Sequence, residues 1–309
     1  MQQNVCVRYR VVVLVALVVA TLVTACSSDD GSSLKVTENV RYADDSLRQQ
    51  LDLYVPDDGR SDHPVAIYLH GGGWQLGDKA AVNDTSVANI KEFRNALLDA
   101  GYAVAAVNYR LTDEAIWPAQ ILDVKSAVRF LRANAQKYRL DPERIVVWGE
   151  SAGGHLAQMM AVTNGDPTME GAVGETGESS DVDAAISYYG ISDLVTMATD
   201  VMACSQTGGE VGQSLLVGGS PAIEPSKTLA ALASPINYVD SSDAPILLMH
   251  GKQDCVVAPI QSERMYQKLD AAGVPTELVE VDGEHSAPVF FETKKLRQQA
   301  IDWFNEYAA

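Results

Sequence analysis

The chain has 309 residues, a length that suits one large α/β domain or two small ones, and 47% of its residues are hydrophobic, which is enough for a full core. Its 41 acidic and 23 basic residues give a formal net charge of −18. That balance argues against nucleic acid as a partner, because the phosphate backbone attracts basic surfaces.

The amino terminus differs in composition from the rest of the chain. Two arginines precede residues 11–23, an uncharged apolar run that is short for a membrane span and typical of a signal peptide. Small residues then lead to Cys26, an arrangement that resembles a bacterial lipoprotein signal. The resemblance implies that residues 1–25 are removed, that Cys26 is lipidated, and that residues 26–34 tether an exported protein to a membrane of the cell envelope, on its periplasmic or extracellular face. Ordinary cleavage with soluble secretion is the alternative.

Residues 35–309 are predicted to form one domain that begins with two antiparallel strands, from Lys35 to Tyr42 and from Leu47 to Val55. A third apolar segment, Pro64 to Leu69, predicts a buried strand and leads straight into His70-Gly71-Gly72-Gly73-Trp74. Successive glycines leave backbone N–H groups bare, as one wall of an oxyanion hole requires. A flexible turn is the competing interpretation, but a turn needs neither the strand nor the tryptophan.

Helix and strand patterns then alternate along the chain. A helix is predicted from Asn89 to Ala100, a strand from Tyr102 to Val107, and a long amphipathic helix from Ala119 to Tyr138. Strands that alternate with helices predict a mostly parallel central sheet with helices on both faces. The predicted fold class is therefore α/β.

A serine with glycines on both sides follows the next apolar strand. Gly149 and Gly153 lie two residues on either side of Ser151, as a sharp strand-to-helix turn requires, because a Cβ at either glycine would clash with neighbouring backbone. The helix that follows aims its first N–H groups, including that of Ala152, at any oxygen beside Ser151, which suits a developing oxyanion. The motif alone is weak, but together with the glycine loop it makes Ser151 the predicted nucleophile.

Regular patterns are sparser in the second half of the chain. Residues 163–183 hold six acids and no base, and we predict a solvated loop without chemistry. Residues 191–243 show no sustained period and are predicted to form a lid-like excursion over the carboxyl ends of the strands. Strands at Pro245 to Met249 and Glu277 to Val281 and a closing helix from Pro288 to Tyr307 complete the domain.

A serine hydroxyl needs a base, and the base needs an acid that fixes its tautomer. His285 alone among five histidines lies in a loop between the last strand and the final helix, where an imidazole can reach over the sheet edge. Asp254 comes after an earlier strand at the carboxyl edge of the sheet and is the predicted acid, with Asp193 and Asp282 as rivals. The resulting order of serine, acid and histidine is that of α/β hydrolases.

Two cysteines remain once the signal peptide and the lipidation candidate are set aside. Because an even number of cysteines in an exported protein is typical of disulfide bonding, we predict a disulfide between Cys204 and Cys255. Two unrelated buried thiols are the alternative.

The whole motif set resembles the α/β-hydrolase fold over residues 47–305, in particular the esterases related to hormone-sensitive lipase and the bacterial feruloyl-esterase-like (BD-FAE) group. The matching residues are His70 to Trp74, Asn108 to Leu111, the segment from Asp123 through Arg132 to Asp141-Pro142, Gly149 to Gly154, Ala233 to Pro235, His250-Gly251, Asp254 and His285. We expect no amino-terminal helical cap of the kind that relatives of hormone-sensitive lipase carry, so their acyl-chain preferences are not carried over.

The resemblance implies the identity of the functional residues. It implies that Ser151, Asp254 and His285 form a catalytic triad. It also implies that the backbone N–H groups of Gly72, Gly73 and Ala152 are the donors of the oxyanion hole. Two neighbours of these groups, Trp74 and His155, are predicted to line the substrate site.

The predicted reaction is hydrolysis of a carboxylic ester through an acyl-enzyme. No metal or other cofactor is expected, since the histidines and acids show no H-E-x-x-H or paired ligand spacing. An exopeptidase of the prolyl-oligopeptidase type and an arylformamidase are alternatives on the same fold, and a catalytically inactive surface binding module is the alternative of another class. The expected partner is a small-molecule or polymer-borne ester, and acetyl, feruloyl, short-chain acyl and polyester substrates all stay open.

Overall fold

The computed structural model describes residues 24–27, 33–86, 88–200 and 208–308. The apolar core of the predicted signal peptide and Cys204 lie outside these ranges, so the cleavage and the pairing of Cys204 with Cys255 stay predictions. Within the described ranges, no helix is both long enough and apolar enough to cross a bilayer.

The described residues form nine strands, which are β1 (Thr24–Ser27), β2 (Ser33–Arg41), β3 (Gln50–Pro56), β4 (His63–Leu69), β5 (Ala103–Val107), β6 (Leu140–Glu150), β7 (Ala184–Tyr188), β8 (Ile246–Gly251) and β9 (Thr276–Val281). They make one sheet in the order β1-β2-β3-β5-β4-β6-β7-β8-β9. Strands β1, β2 and β3 are joined by antiparallel pairing, β3 is antiparallel to β5, and all pairs from β5 to β9 are parallel. The prediction of a mostly parallel α/β sheet is confirmed.

The edge strand β1 lies where the sequence predicts the end of a signal peptide and the start of a tether. Its backbone pairs with β2, from Thr24 opposite Val36 to Ser27 opposite Ser33. Edge pairing depends on backbone N–H and C=O groups rather than on side-chain pattern, and a short run of small residues carries no periodic signal that could predict it.

Ten helices connect the strands within the described residues, namely α1 (Ile90–Asp99), α2 (Ala119–Ala133), α3 (Ala135–Tyr138), α4 (Ala152–Ala161), α5 (Pro167–Glu170), α6 (Gly208–Leu216), α7 (Ser226–Leu232), α8 (Ile260–Ala272), α9 (Val289–Glu292) and α10 (Lys294–Tyr307). Two predicted helices are each divided in two. The first breaks at Asn134, and the second breaks at Thr293, where the backbone is extended (φ −76°, ψ 110°). The excursion at 191–243, for which no helix is predicted, contains α6 and α7.

The central strands are buried on both faces of the sheet, which is why they appear as continuous apolar runs in the sequence. Alternate side chains enter two separate cores, because successive residues of a strand point to opposite faces. Ile67, Val147 and Leu248 belong to one core. The other core contains their neighbours Tyr68, Trp148 and Met249. The strands therefore form a rigid platform whose carboxyl ends can position loops.

The acidic segment at residues 163–183 is held against helix α2 rather than being simply solvated. Lys125 is fully buried and its Nζ donates a hydrogen bond to the Thr163 carbonyl at 2.9 Å. Arg129 donates to the Glu175 carbonyl at 2.6 Å, and Arg132 donates to the Asp181 carbonyl at 3.0 Å. The composition of the segment did not predict these contacts. The three basic side chains bind mainly backbone carbonyl oxygens, and a count of acidic and basic residues contains no information on those.

Candidate active site

Ser151 lies at a sharp turn between β6 and α4. Its backbone has φ 52° and ψ −116°, a strained conformation for a residue with a side chain. A Cβ on Gly149 would lie 2.4 Å from the Gly153 carbonyl oxygen, and a Cβ on Gly153 would lie 2.0 Å from that of Leu69. Only glycine fits at these two positions, and their close contacts with backbone raise the Ser151 hydroxyl above the sheet edge.

His285 and Asp254 reach Ser151 from the loops that follow β9 and β8. His285 Nε2 lies 3.0 Å from Ser151 Oγ, and His285 Nδ1 lies 2.7 Å from Asp254 Oδ2. These distances form an unbroken hydrogen-bonded chain from the hydroxyl to the carboxylate. Because a carboxylate accepts at Nδ1–H, the imidazole is the tautomer with a free lone pair on Nε2, as a general base requires.

Asp254 is fully buried, and its charge is stabilised locally. Oδ1 accepts hydrogen bonds from the backbone N–H groups of Val256 and Val257, each at 2.8 Å. Burial by itself would raise the pKa of Asp254, but hydrogen bonds from His250 and His285 outweigh it and hold that pKa well below its ordinary value. The group is therefore an ionised carboxylate at neutral pH.

A second histidine lies behind the acid. His250 is fully buried, and its Nε2 lies 2.9 Å from the Val257 carbonyl oxygen and 3.3 Å from Asp254 Oδ2. Its Nδ1 lies 2.7 Å from Ser262 Oγ. Since a carbonyl oxygen can only accept, Nε2 carries the proton of His250 and points it between the carbonyl and the carboxylate.

The rival acids bind elsewhere. Asp193 caps its own turn, with Oδ1 accepting from the backbone N–H of Val195 at 2.9 Å. Asp282 is highly exposed and pairs with Lys252 at 3.5 Å. Neither side chain takes part in the hydrogen-bonded chain at Ser151.

The predicted oxyanion donors lie next to Ser151. Gly72 and Gly73 line the same cleft as Ser151, and Ala152 is the first residue of α4, whose N–H has no intrahelical acceptor. Within the described parts of the chain, none of these three N–H groups donates to a protein acceptor. Gly72 has φ 112° and a Cβ there would lie 2.3 Å from the Leu76 carbonyl oxygen, so the loop conformation depends on glycine.

The cleft above Ser151 has a volume of about 410 Å³. Its polar lining includes the glycine loop, Gln75 and Glu150. Its apolar lining includes Ile191, Met197, Val256 and Val257. A larger groove of about 700 Å³ between β9 and α10 contains none of the predicted site residues. The excursion at 191–243 thus contributes to the wall of the smaller cleft, through Ile191, Met197 and Gly212.

Trp74 lines this cleft, whereas His155 does not, and that part of the prediction is wrong. His155 is fully buried, with Nε2 2.6 Å from the Ala233 carbonyl oxygen. Its Nδ1 accepts a hydrogen bond from Trp74 Nε1 at 3.3 Å. His155 lies in the core instead of facing substrate, and its ring packs edge-on against the rings of Trp74 and Trp117. Its role is to tie Trp74 to the excursion.

This arrangement predicts a pH-dependent stability. Burial lowers the pKa of His155 to about 4, below its ordinary value of 6.5. The neutral form is therefore favoured in the folded state, and its contribution is present above pH 6.5 and lost as the pH falls toward 4. We expect His155→Asn to reduce the loss of unfolding free energy between pH 7 and pH 4 by about 3 kcal/mol. Urea unfolding of both proteins, followed by tryptophan fluorescence, measures this difference.

Asp243 supplies a control of opposite sign. Burial raises its pKa to about 6, so its contribution is present at low pH and is lost as the pH rises through 6. Asp243→Asn should therefore make the loss of stability on acidification larger. A His155→Asn protein with the same pH dependence as the parent would contradict the assignment of a buried neutral imidazole.

Several site residues gave no usable signal in the sequence. Glu150 lies inside the serine motif, but its position there says nothing about the direction of its side chain. Tyr189 has φ 41° and places its ring 4.7 Å from that of His285, centroid to centroid. Met197 and Gly212 are contributed by packing of distant segments. Among the described residues, no group of three or more histidines, cysteines or acids is arranged to hold a metal ion.

The chain is similar to proteins that are described as esterases. Residues 51–269 match the family model BD-FAE. Esterase LipQ of Mycobacterium tuberculosis is 31% identical over 259 residues, which cover 81% of this chain and 57% of LipQ. The chain spans about half the length of the curated relatives it matches.

Two solved structures share most of the described fold. A truncated form of a carbohydrate esterase from gut microbiota is 34% identical with a TM-score of 0.77, over 88% of this chain and 96% of that one. A bifunctional GH43-CE protein of Bacteroides eggerthii is 35% identical with a TM-score of 0.78, over 89% of this chain and 35% of that one.

Proposed function

This chain belongs to the BD-FAE family of α/β-hydrolase proteins, and we propose that it is a serine carboxylesterase. Ser151 is the proposed nucleophile, His285 the general base and Asp254 the acid. The observation that carries the proposal is the unbroken chain of hydrogen bonds from Ser151 Oγ through His285 to Asp254, at the foot of an open cleft. An inactive binding module would not require this alignment.

The acylation step follows from the geometry. His285 Nε2 takes the proton of Ser151 Oγ as that oxygen attacks the ester carbonyl carbon, and the carbonyl π electrons move onto oxygen. The resulting oxyanion receives hydrogen bonds from the N–H groups of Gly72, Gly73 and Ala152. Asp254 stabilises the imidazolium. When the tetrahedral intermediate collapses, the alcohol oxygen leaves with the proton from His285 and the acyl group stays on Ser151.

Deacylation repeats the same steps with water. His285 Nε2 takes a proton from a water molecule, whose oxygen attacks the acyl carbon, and the oxyanion again forms beside the glycine loop. Collapse of this second intermediate returns the proton to Ser151 Oγ and releases the carboxylic acid. No group other than these residues and water is needed to balance the reaction.

Turnover of p-nitrophenyl acetate tests the activity directly. We expect a steady release of p-nitrophenol that stops after treatment with a phosphonate directed at serine. An exopeptidase would prefer an amino-acid p-nitroanilide, and an arylformamidase would prefer an N-formyl aryl amide. A purified, folded protein that turns over none of the three would instead favour the surface binding module.

For the substrate class, we propose esters carried on carbohydrates. Support comes from the two solved relatives, one described as a carbohydrate esterase and one as a bifunctional GH43-CE protein. The cleft is open and its lining includes the polar side chains of Gln75 and Glu150, which suits an acyl group attached to a hydrated polymer. Release of acetate from an acetylated xylo-oligosaccharide, compared with release from tributyrin, distinguishes a carbohydrate ester from a lipid ester.

We propose that the protein is exported and is anchored through a lipid on Cys26. The support is the sequence alone, because the apolar run at 11–23 precedes small residues and a cysteine. Mass measurement of the mature protein from a bacterial host should show a diacylglyceryl group on Cys26. A soluble mature protein without lipid would favour ordinary cleavage.

We also propose a disulfide between Cys204 and Cys255. Cys255 is half-buried and follows Asp254 directly, so a bridge would link the loop of the acid to the excursion. Reduction should lower the free energy of unfolding by about 2–5 kcal/mol and lower activity as well. A non-reduced tryptic digest should contain the two cysteines in one linked pair of peptides, and recovery of both as free thiols from an oxidising compartment would contradict the bridge.

A further inference from the structure

Glu150 is the last residue of β6 and directly precedes Ser151, and its carboxylate contacts three other segments of the site. Its Oε1 accepts hydrogen bonds from the Tyr68 hydroxyl at 3.0 Å and from the Gly71 backbone N–H at 3.3 Å. Its Oε2 accepts from the Tyr189 hydroxyl at 3.0 Å. One carboxylate therefore holds the start of the glycine loop and the segment after β7, and it is covalently joined to Ser151.

The donors to this carboxylate are rigid. Tyr68 and Tyr189 are fully buried, and burial raises the pKa of both phenols well above the ordinary value, so each keeps a proton to donate. Gly71 is packed closely on Glu150, since a Cβ on Gly71 would lie 3.1 Å from the Glu150 carbonyl oxygen. The Glu150 side chain thus occupies a fixed position between two elements that cannot easily shift.

Each of these contacts bears on a different part of the reaction. Gly71 directly precedes Gly72 and Gly73, the proposed oxyanion donors. Tyr189 packs its ring edge-on against the His285 imidazole, with ring centroids 4.7 Å apart at 65°. Ser151 is the next residue in the chain. Displacement of the carboxylate would therefore alter the distance between Ser151 and the oxyanion donors, and a misplacement of about 1 Å can cost on the order of 100-fold in rate.

We propose that Glu150 is a positioning residue that sets the oxyanion loop at its working distance from Ser151, and that it acts through the reach of its carboxyl group rather than through its charge. The inference rests on the proposed esterase function. The proposal predicts different effects for two conservative substitutions of Glu150. Glu150→Gln keeps the reach and removes the charge, whereas Glu150→Asp keeps the charge and withdraws the carboxyl group by about 1.5 Å, one C–C bond.

The experiment measures kcat and KM of the parent and both variants on p-nitrophenyl acetate and on the matching thionoacetate. Sulfur is a poor acceptor of N–H hydrogen bonds, so the thiono ester gains little from an oxyanion hole. We expect Glu150→Gln to lose less kcat on the oxygen ester than Glu150→Asp does, because its amide oxygen can still accept from Tyr68 and Gly71. We expect Glu150→Asp to lose about 10-fold to 100-fold in kcat on the oxygen ester with KM little changed, and far less on the thiono ester. The ratio of oxygen to thiono rates should therefore fall by about the same factor.

Other outcomes would overturn the proposal. A normal Glu150→Asp with an impaired Glu150→Gln would mean that the carboxylate acts through its charge. Equal losses on the two esters would mean a general structural role, and two normal variants would mean no role. If the parent enzyme hydrolyses neither ester, the proposed esterase function is wrong. That outcome differs from every outcome that contradicts the role of Glu150 alone. If Glu150→Asp does not fold, Tyr68→Phe removes one donor to the same oxygen and should lower the same ratio; an unchanged ratio in Tyr68→Phe contradicts the proposal.

Discussion

Replacing Ser151 with alanine is expected to lower kcat for p-nitrophenyl acetate by about 10⁶, the loss typical of removing a triad nucleophile. The substitution deletes only Oγ, which lies 3.0 Å from His285 Nε2. Alanine also has a Cβ, so the positive φ of residue 151 is no more strained than before. Steady-state hydrolysis, measured with an enzyme preparation free of host esterases, gives the ratio.

The fold should survive this change. The backbone contacts of the turn, such as the hydrogen bond from Ser151 N to the Tyr188 carbonyl at 2.9 Å, do not involve the side chain. We therefore expect Ser151→Ala to unfold at the parent's urea concentration within experimental error. Activity within tenfold of the parent would remove Ser151 from the proposed mechanism.

Asp254→Asn is expected to lower kcat by about 10⁴, through the wrong tautomer of His285. The amide oxygen of the new residue can still accept from the backbone N–H groups of Val256 and Val257 that now bind Oδ1. Its NH₂ group then faces His285 Nδ1, which must become an acceptor, and the proton moves to Nε2. An imidazole with its proton on Nε2 cannot take the proton of Ser151. Measurement of kcat for the parent and Asp254→Asn over a series of pH values gives the loss in kcat at each pH.

Asp193→Asn is the matched control. Asp193 Oδ1 accepts from Val195 N at 2.9 Å, and asparagine can keep that bond. We expect activity within about threefold of the parent, since the residue contacts neither His285 nor Ser151. A larger loss for Asp193→Asn than for Asp254→Asn would transfer the role of the acid to Asp193.

Most of the fold could be predicted because its signals are local. The parallel strands are buried on both faces and appear as short apolar runs, and the alternation of these runs with helical patterns allows few other sheets. Helix ends were less predictable. The breaks at Asn134 and Thr293 interrupt amphipathic patterns that continue across them, so the periodicity gives no sign of a change in backbone direction.

The same limit applies to the excursion at 191–243. Helix α6 brings Gly212 against the glycine loop, where a Cβ would lie 3.2 Å from the Gly73 carbonyl oxygen. The sequence there offers only scattered apolar residues and glycines. Helices stabilised mainly by contacts with the rest of the domain need not have a strong pattern of their own.

Local sequence patterns were sufficient to predict which side chains and backbone groups make up the candidate active site. A glycine-flanked serine after a buried strand and a run of glycines after another are recognisable because backbone sterics allow few residues at those turns. The positions of Asp254 and His285 after strands could be inferred from the common direction of a parallel sheet.

The contacts between side chains from different segments could be identified from the folded structure but not from the sequence. The folded structure turned His155 into the core instead of the cleft, and it brought Tyr189 to Glu150 from 39 positions along the chain. Such contacts depend on how helices rotate and loops pack when the whole core closes, and a pattern read along a few neighbouring residues contains no information on distances between segments far apart in sequence.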